Sequence, residues 1–220
     1  MNLRRRLLIE WALIALFGTL AVILATHWRG TSAFDNLVYD QLSSISRPKP
    51  DEKILLINID EASLARIGKW PWNRNIHAQL IDKLASAGPR TILLDVLMSE
   101  ASLAADDRAL ADAMRKSGAV YLPLNFHSPG SDGKAYDTEL PLPTLDAAAK
   151  GVGHVNITFD NDGIVRRINL CFDSDERSWP HLAELIYRNG AEPSPAFARL
   201  ARCSQHLLLP YAPRDSYSEI

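Results

Sequence analysis

The sequence predicts an α/β fold: a Rossmann-like three-layer sheet with an antiparallel hairpin extension, preceded by one amino-terminal transmembrane helix. Three observations carry that expectation. The stretch "LLIEWALIALFGTLAVILA" from Leu7 to Ala25 is apolar except at Glu10, Gly18 and Thr19. Three further runs, "KILLINID" (Lys53–Asp60), "TILLDVLM" (Thr91–Met98) and "AVYLPLNF" (Ala119–Phe126), are nearly continuous in apolar residues, the pattern of strands buried on both faces. Helix-periodic segments with short connections separate them, which is the order of a parallel, helix-covered sheet.

The first stretch, spanning residues 7–26, is long enough to cross a hydrocarbon core of about 30 Å. Arg4, Arg5 and Arg6 precede it and leave residues 1–6 as a cytoplasmic tail by the positive-inside bias. Glu10 falls near headgroup level, and Trp11 and Trp28 suit the two interfaces. A cleaved signal peptide is the competing reading, but Ile23 stands where a small residue would be wanted before cleavage. Both readings place everything after Arg29 outside the cytoplasm. A buried core helix would need a polar face that this stretch lacks.

Residues 31–46 carry Phe34, Leu37, Val38 and Leu42 at helical spacing and predict an amphipathic membrane-proximal helix. "RPKPDE" ends it. Residues 52–220 form the exported domain. Asn73 is placed to cap a helix from Arg74 to Ala87, with Ile76, Leu80 and Leu84 four apart and Gly88-Pro89 to stop it. Asp106 or Asp107 starts a helix running to Gly118. His127 to Pro143 reads as a long loop. Gly153 to Phe172 reads as a hairpin turning at Asp162-Gly163. Helices over Pro180–Arg188 and Pro195–Arg202 and a strand over His206–Tyr211 complete the order.

Composition excludes some function classes. A net charge of −2 supplies no basic excess to displace phosphate counterions, so no nucleic-acid surface is expected. Cys171 and Cys203 fit an oxidising compartment that permits one bridge, but their spacing does not demand it. No GxGxxG or GxxxxGK[ST] follows the first strand, and GxSxG and HExxH are missing from the chain, so no catalytic residue, cofactor or metal is expected. Asp160, Asn161, Asp162 and Gly163 look like half a calcium loop without its closing glutamate, so a hairpin turn is the expectation there. Of Arg166 and Arg167, on opposite strand faces, one should be exposed and the other should need an acidic partner.

The candidate ligand site lies at the strand ends. Asp60 and Glu61 close the first run and Asp95 sits near the end of the second, where parallel sheets open a ligand crevice. Capping of a following helix is an equally simple use of such acids. The turn "KWPWNR" adds Trp70 and Trp72 as a candidate wall. Arg74 then falls in a first helical turn, where the macrodipole disfavours a cation and a compensating carboxylate is expected. By topology the nearest are Asp60, Glu61 and Asp95. Packing of the two indoles against the core, with Arg74 solvated, remains the alternative use of that turn.

Together these residues resemble the second type of CHASE domain. The Ile-Asp-Glu strand end, the Gly-x-Trp-Pro-Trp-x-Arg turn, the Leu-Asp-Val strand and the Asp-Gly-x-Val-Arg-Arg hairpin occur in that order after Asp40 in "VYDQL", from about Phe34 to Ile220. The resemblance implies an extracellular sensory input module of a membrane-bound bacterial signalling protein. Its stimulus would be a small ligand or an envelope signal, and its partners the inner membrane and a second copy of the chain. Such modules precede histidine kinase, diguanylate or adenylyl cyclase, or serine/threonine kinase outputs, and an output of that kind is expected downstream of Ile220. The rival expectations are a metal-dependent hydrolase using Asp60 and Asp95, and a non-catalytic envelope assembly protein.

Overall fold

The long apolar stretch forms helix α1 (Leu3–His27), followed by α2 (Ser32–Ile45), in a computed structural model that describes residues 3–27, 32–45, 51–127, 137–174, 177–190, 206–209 and 218–219. Trp28, Cys203, the helix expected over Pro195–Arg202 and most of the expected long loop lie outside the described residues. The chain divides into two compact units, Met1–Leu56 with Pro210–Ile220, and Ile57–Leu209.

In the first unit, α1 is long and apolar enough over Arg4–Leu24 to cross a membrane. Its one acid in the apolar stretch, Glu10, accepts from the Arg6 guanidinium one turn earlier at 3.1 Å, which pairs the carboxylate on the helix surface. Helix α2 presents Phe34, Leu37, Leu42 and Ile45 as exposed apolar side chains. Strand β1 is only Leu55–Leu56 and pairs in parallel with a short strand at Ser218–Glu219. The expectation of a strand buried on both faces over Lys53–Asp60 is therefore corrected: Ile54 to Ile57 and Ile59 are all exposed. An apolar run fixes the capacity for burial, and neighbours decide whether it is used.

The second unit begins with α3 (Glu61–Ile67), a helix not expected from the sequence, and α4 (Arg74–Ser86), which was. Strand β2 (Ile92–Leu93) leads to α5 (Ala104–Ser117), which starts earlier than Asp106 because Leu103 occupies the cap position. Strand β3 (Val120–His127) is buried along almost its whole length. After β4 (Asp137–Glu139), α6 (Pro143–Asp146) and β5 (Gly151–His154) come β6 (Arg167–Asn169), β7 (Cys171–Ser174), β8 (Arg177–Pro180), α7 (Leu182–Gly190), β9 (His206–Leu208) and, in the first unit, β10 (Ser218–Glu219).

Strand β3 organises this unit. It pairs in parallel with β2, as the βαβ order predicts, and also in parallel with β5, which was expected in an antiparallel hairpin, while its far end pairs antiparallel with β4. Helices α4 and α5 pack on one another, and their inner faces join the buried side of the sheet in a core of Ile81, Leu110, Met114, Val120, Leu122 and Leu145. The second apolar run is buried on one face only. Ile92, Leu94 and Met98 point inward, and Leu93, Asp95 and Leu97 alternate with them to the exposed side.

The expected hairpin is realised only around its turn. Gly163 takes φ +79°, its N–H donates to the Asp160 carbonyl at 2.9 Å, and one antiparallel bridge joins Thr158 to Arg167. The flanking strands pair elsewhere: β5 with β3, β6 antiparallel with β9, and β7 antiparallel with β8. Beyond β5, the Asn156 side-chain amide donates to the Phe126 carbonyl at 2.8 Å and accepts from its N–H at 2.9 Å, so a side chain continues the ladder. Cys171, at the head of β7, is disulfide-bonded, where the spacing had left that open.

Glycine has a steric role at β5. A Cβ on Gly153 would come within 2.9 Å of Leu182 Cα and the Pro180 carbonyl oxygen. Backbone cannot yield as a side-chain tip can, so Gly153→Ala is expected to cost about 1–3 kcal/mol, read as a lower denaturation midpoint.

Candidate functional site

The turn at Trp70–Arg74 is built from α3 onward. Asp60 caps α3, its Oδ1 accepting from the Ser63 N–H at 2.8 Å, and these hydrogen bonds from Ser63 hold its carboxyl below the usual aspartate range. Capping is thus how Asp60 is used. Gly68 ends the helix at φ +114°, a conformation that suits glycine alone, and its N–H donates to the Leu64 carbonyl at 2.9 Å. The chain then reverses through Lys69 and a cis Trp70-Pro71 bond into α4.

The two indoles are held in place. Trp72 donates its indole N–H to the Gly68 carbonyl at 2.8 Å. Trp70 meets it edge-to-face with ring centroids 5.5 Å apart, and His77, one turn into α4, meets Trp70 at 5.6 Å and Trp72 at 6.3 Å. His77 is buried, and burial, helped by the nearby Arg74 cation, pushes its pKa below the usual histidine value. The ring is therefore neutral near pH 7 and acts here as a third aromatic plate. Trp70 remains 41% exposed, so the cluster offers solvent one indole on a fixed support.

Arg74 has the compensating carboxylate that its position demands, but not one of those expected. Its guanidinium pairs with Asp107 at 2.5 Å and also donates to the Glu100 carbonyl. The other Asp107 oxygen accepts from the Ser102 N–H at 3.1 Å. Both side chains are about nine-tenths buried, with 10% and 8% exposure. The reason is topological. Helix α4 lies against α5, so a side chain in its first turn reaches the first turn of that helix instead of the strand ends. One carboxylate then offsets Arg74 and the positive ends of both helix dipoles.

The candidate residues thus divide. Trp70, Trp72 and Arg74 come together around His77. Asp60, Glu61 and Asp95 are exposed and make no ion pair with Arg74 among the described residues. His77 and Asp107 are the members that sequence reasoning missed. The signal for Asp107 was present in "AADDRA", where the second acid sits in a helical first turn next door to an arginine in another.

A second polar centre lies at the hairpin turn. Arg166 is the buried member of its pair, with a side chain 2% exposed, and it donates to Asp160 at 2.9 Å and to both oxygens of Asp162 at 2.9 and 2.8 Å. Arg167 is exposed, as the alternation requires. The Asp162 carboxyl is held below the usual aspartate range by the hydrogen bonds from Arg166. The two acids that looked like half a calcium loop are spent on an arginine. Among the described residues, no set of three or more His, Cys, Asp or Glu converges as metal ligands.

Comparison with known proteins places this arrangement. No curated protein and no solved structure matches the chain. The family model described as the CHASE2 domain matches residues 17–219, which takes in the aromatic turn, the Arg74–Asp107 pair and the Arg166 turn. CHASE2 domains are extracellular, sensory and non-catalytic, and this chain belongs to that family.

Proposed function

We propose that this chain is the extracytoplasmic input domain of a bacterial signal-transduction protein of the inner membrane. Helix α1 is its anchor, the arginine-flanked end lies in the cytoplasm, and the domain from residue 52 onward lies in the periplasm. A Rossmann-like layering around the parallel strands belongs to the same reading. So does a homodimer in which α2 passes changes in the domain to the membrane helices, and an output module of the kinase or nucleotide-cyclase kind downstream.

The observation that carries this reading is the family match, which begins inside the apolar helix at residue 17 and runs to residue 219. The ligand would rest on the exposed indole of Trp70. A supported, half-exposed aromatic plate gives a ligand large contact area at little cost in side-chain entropy. Trp72, His77 and the Arg74–Asp107 pair fix that plate, and Asp60, Glu61 and Asp95 are candidates for its polar surroundings. The hydrolase alternative loses ground because Asp60 already serves as a helix cap.

Proteolysis of intact spheroplasts tests the topology. Added protease is expected to degrade the domain from residue 52 onward without lysis. Full protection until the membrane is permeabilised would place the domain in the cytoplasm and sink the reading.

A further inference from the structure

The β5 strand ends in a histidine whose ring is completely buried yet makes no hydrogen bond among the described residues. His154 is 0% exposed, and among the described residues neither of its ring nitrogens has a hydrogen-bond partner. Its ring lies edge-to-face with His181, centroids 4.9 Å apart, and with Phe172 at 5.4 Å, while Phe126 lies at 6.1 Å. A parallel bridge joins the two histidines through the backbone, at the corner where β8 passes into α7. The Gly-x-Gly that precedes His154 lets that corner press close. A Cβ on Gly151 would meet Leu185 Cδ2 at 2.9 Å, and one on Gly153 would meet the backbone of Pro180 and Leu182.

We propose that this contact between β5 and the β8–α7 corner is an acid-labile latch, closed while His154 and His181 are neutral and released when they take up protons. Two features of the geometry make protonation disruptive. A charged His154 would hold a cation in an aromatic pocket where, among the described residues, neither nitrogen has an acceptor. His181 Nδ1 accepts from the Ala183 N–H at 3.2 Å, and protonation there would remove that acceptor and put a positive charge at the amino end of α7.

The surrounding charges do not offset this. Elements packed around His154 carry Tyr121 and His127 on β3, Asp173 on β7, Arg177 stacked on Trp179 in β8, and Glu184, Tyr187 and Arg188 on α7. Among the described residues only His181 exerts a charge effect on His154, and it disfavours the proton. His127 bonds Glu139, and Glu184 pairs with Arg188. Burial and His181 hold His154 down at about 4, and burial lowers His181 as well.

The sign follows from linkage. Both states are neutral well above the ordinary histidine value of 6.5, so the latch is at full strength there. As pH falls from 6.5 toward about 4, the opened state binds protons that the closed state refuses, and the open fraction rises on the order of a hundredfold from His154 alone. The inference rests on the sensory reading only in supplying acidity as a stimulus. The opening itself does not involve the Trp70 turn.

Hydrogen exchange on the full chain in lipid nanodiscs, from pH 7.5 to 4.5, tests the latch. Corrected for intrinsic rates, protection at residues 151–154 and 182–186 is expected to fall about a hundredfold, while amides at Ile81, Leu110 and Met114 keep theirs. In His154→Phe the seam is expected to lose far less protection at pH 4.5, with only the share of His181 remaining. No fall in the wild type, or an equal fall in the variant, overturns the proposal. Should the variant fail to fold, proton NMR titration of the wild-type histidines decides. A His154 midpoint below 5 that coincides with loss of seam protection supports the latch, and a midpoint near 6.5 with protection unchanged refutes it. Ligand binding at Trp70, measured at pH 7.5, is independent of either result.

Discussion

Asp107→Ala is expected to remove about 3–5 kcal/mol of stability, because it strands the Arg74 guanidinium in a site nine-tenths buried. The Ser102 N–H would lose its acceptor in the same stroke. Domains of this size are stable by about 5–15 kcal/mol in all, so one carboxylate decides whether the unit holds. Asp106→Ala, one residue away and less buried, is expected to cost under about 1 kcal/mol. Urea titration of both variants, reading the midpoint at unchanged slope, checks the contrast. The double variant Arg74→Met with Asp107→Leu should be more stable than Asp107→Ala, because no buried charge is then left alone. Equal losses at 106 and 107 would mean that the pair is not a buried one.

Arg166→Met is expected to cost about 3 kcal/mol, since its buried guanidinium pairs with the mostly buried Asp160 carboxylate. Arg166→Lys should recover only part of the loss, because an ammonium cannot reproduce the two-pronged contact with Asp162. The pH dependence of this centre has the opposite origin to that of the histidine seam. The folded Asp162 carboxyl sits below the usual aspartate range, so its contribution is intact above that range and fades as pH falls through the lowered value. Acidification should therefore loosen the seam at His154 first, between about pH 6.5 and 4, and the Arg166 turn only below that. Denaturation midpoints of wild type and Arg166→Met across pH 7 to 3 should converge only at the acid end.

Elements governed by local chemistry were legible in the sequence. Helix α4 follows from apolar residues four apart between Asn73 and Gly88-Pro89, although Asn73 makes no side-chain cap bond. The span of α1, the extent of α2 and the buried strand β3 follow from composition and period alone. The Arg166/Arg167 alternation was also readable, because strand period and the cost of burying a charge leave few choices.

What failed to show was anything set by distant neighbours. The run at 53–60 reads as buried, yet among the described residues only Leu55 and Leu56 find a strand partner and both are exposed. Helix α3 was hidden because Asp60-Glu61 reads equally as a strand-end site and as a cap. Arg74 was correctly seen to need a carboxylate, but sequence order pointed to the strand ends, whereas packing of α4 on α5 delivered Asp107. Glycines 151 and 153, unremarkable in the sequence, turned out to set how closely α7 approaches β5.

The proposed function puts the ligand on the exposed indole of Trp70, and ligand-induced stabilisation of the chain in nanodiscs tests that claim most directly. Screened at pH 7.5 against small metabolites, the wild type is expected to gain about 2.7 kcal/mol with a ligand present at 100 times its dissociation constant. Trp70→Ala, a change at a half-exposed side chain, should fold yet gain nothing from that compound. A ligand that stabilises Trp70→Ala as strongly as the wild type would contradict the account and move the input site elsewhere in the domain.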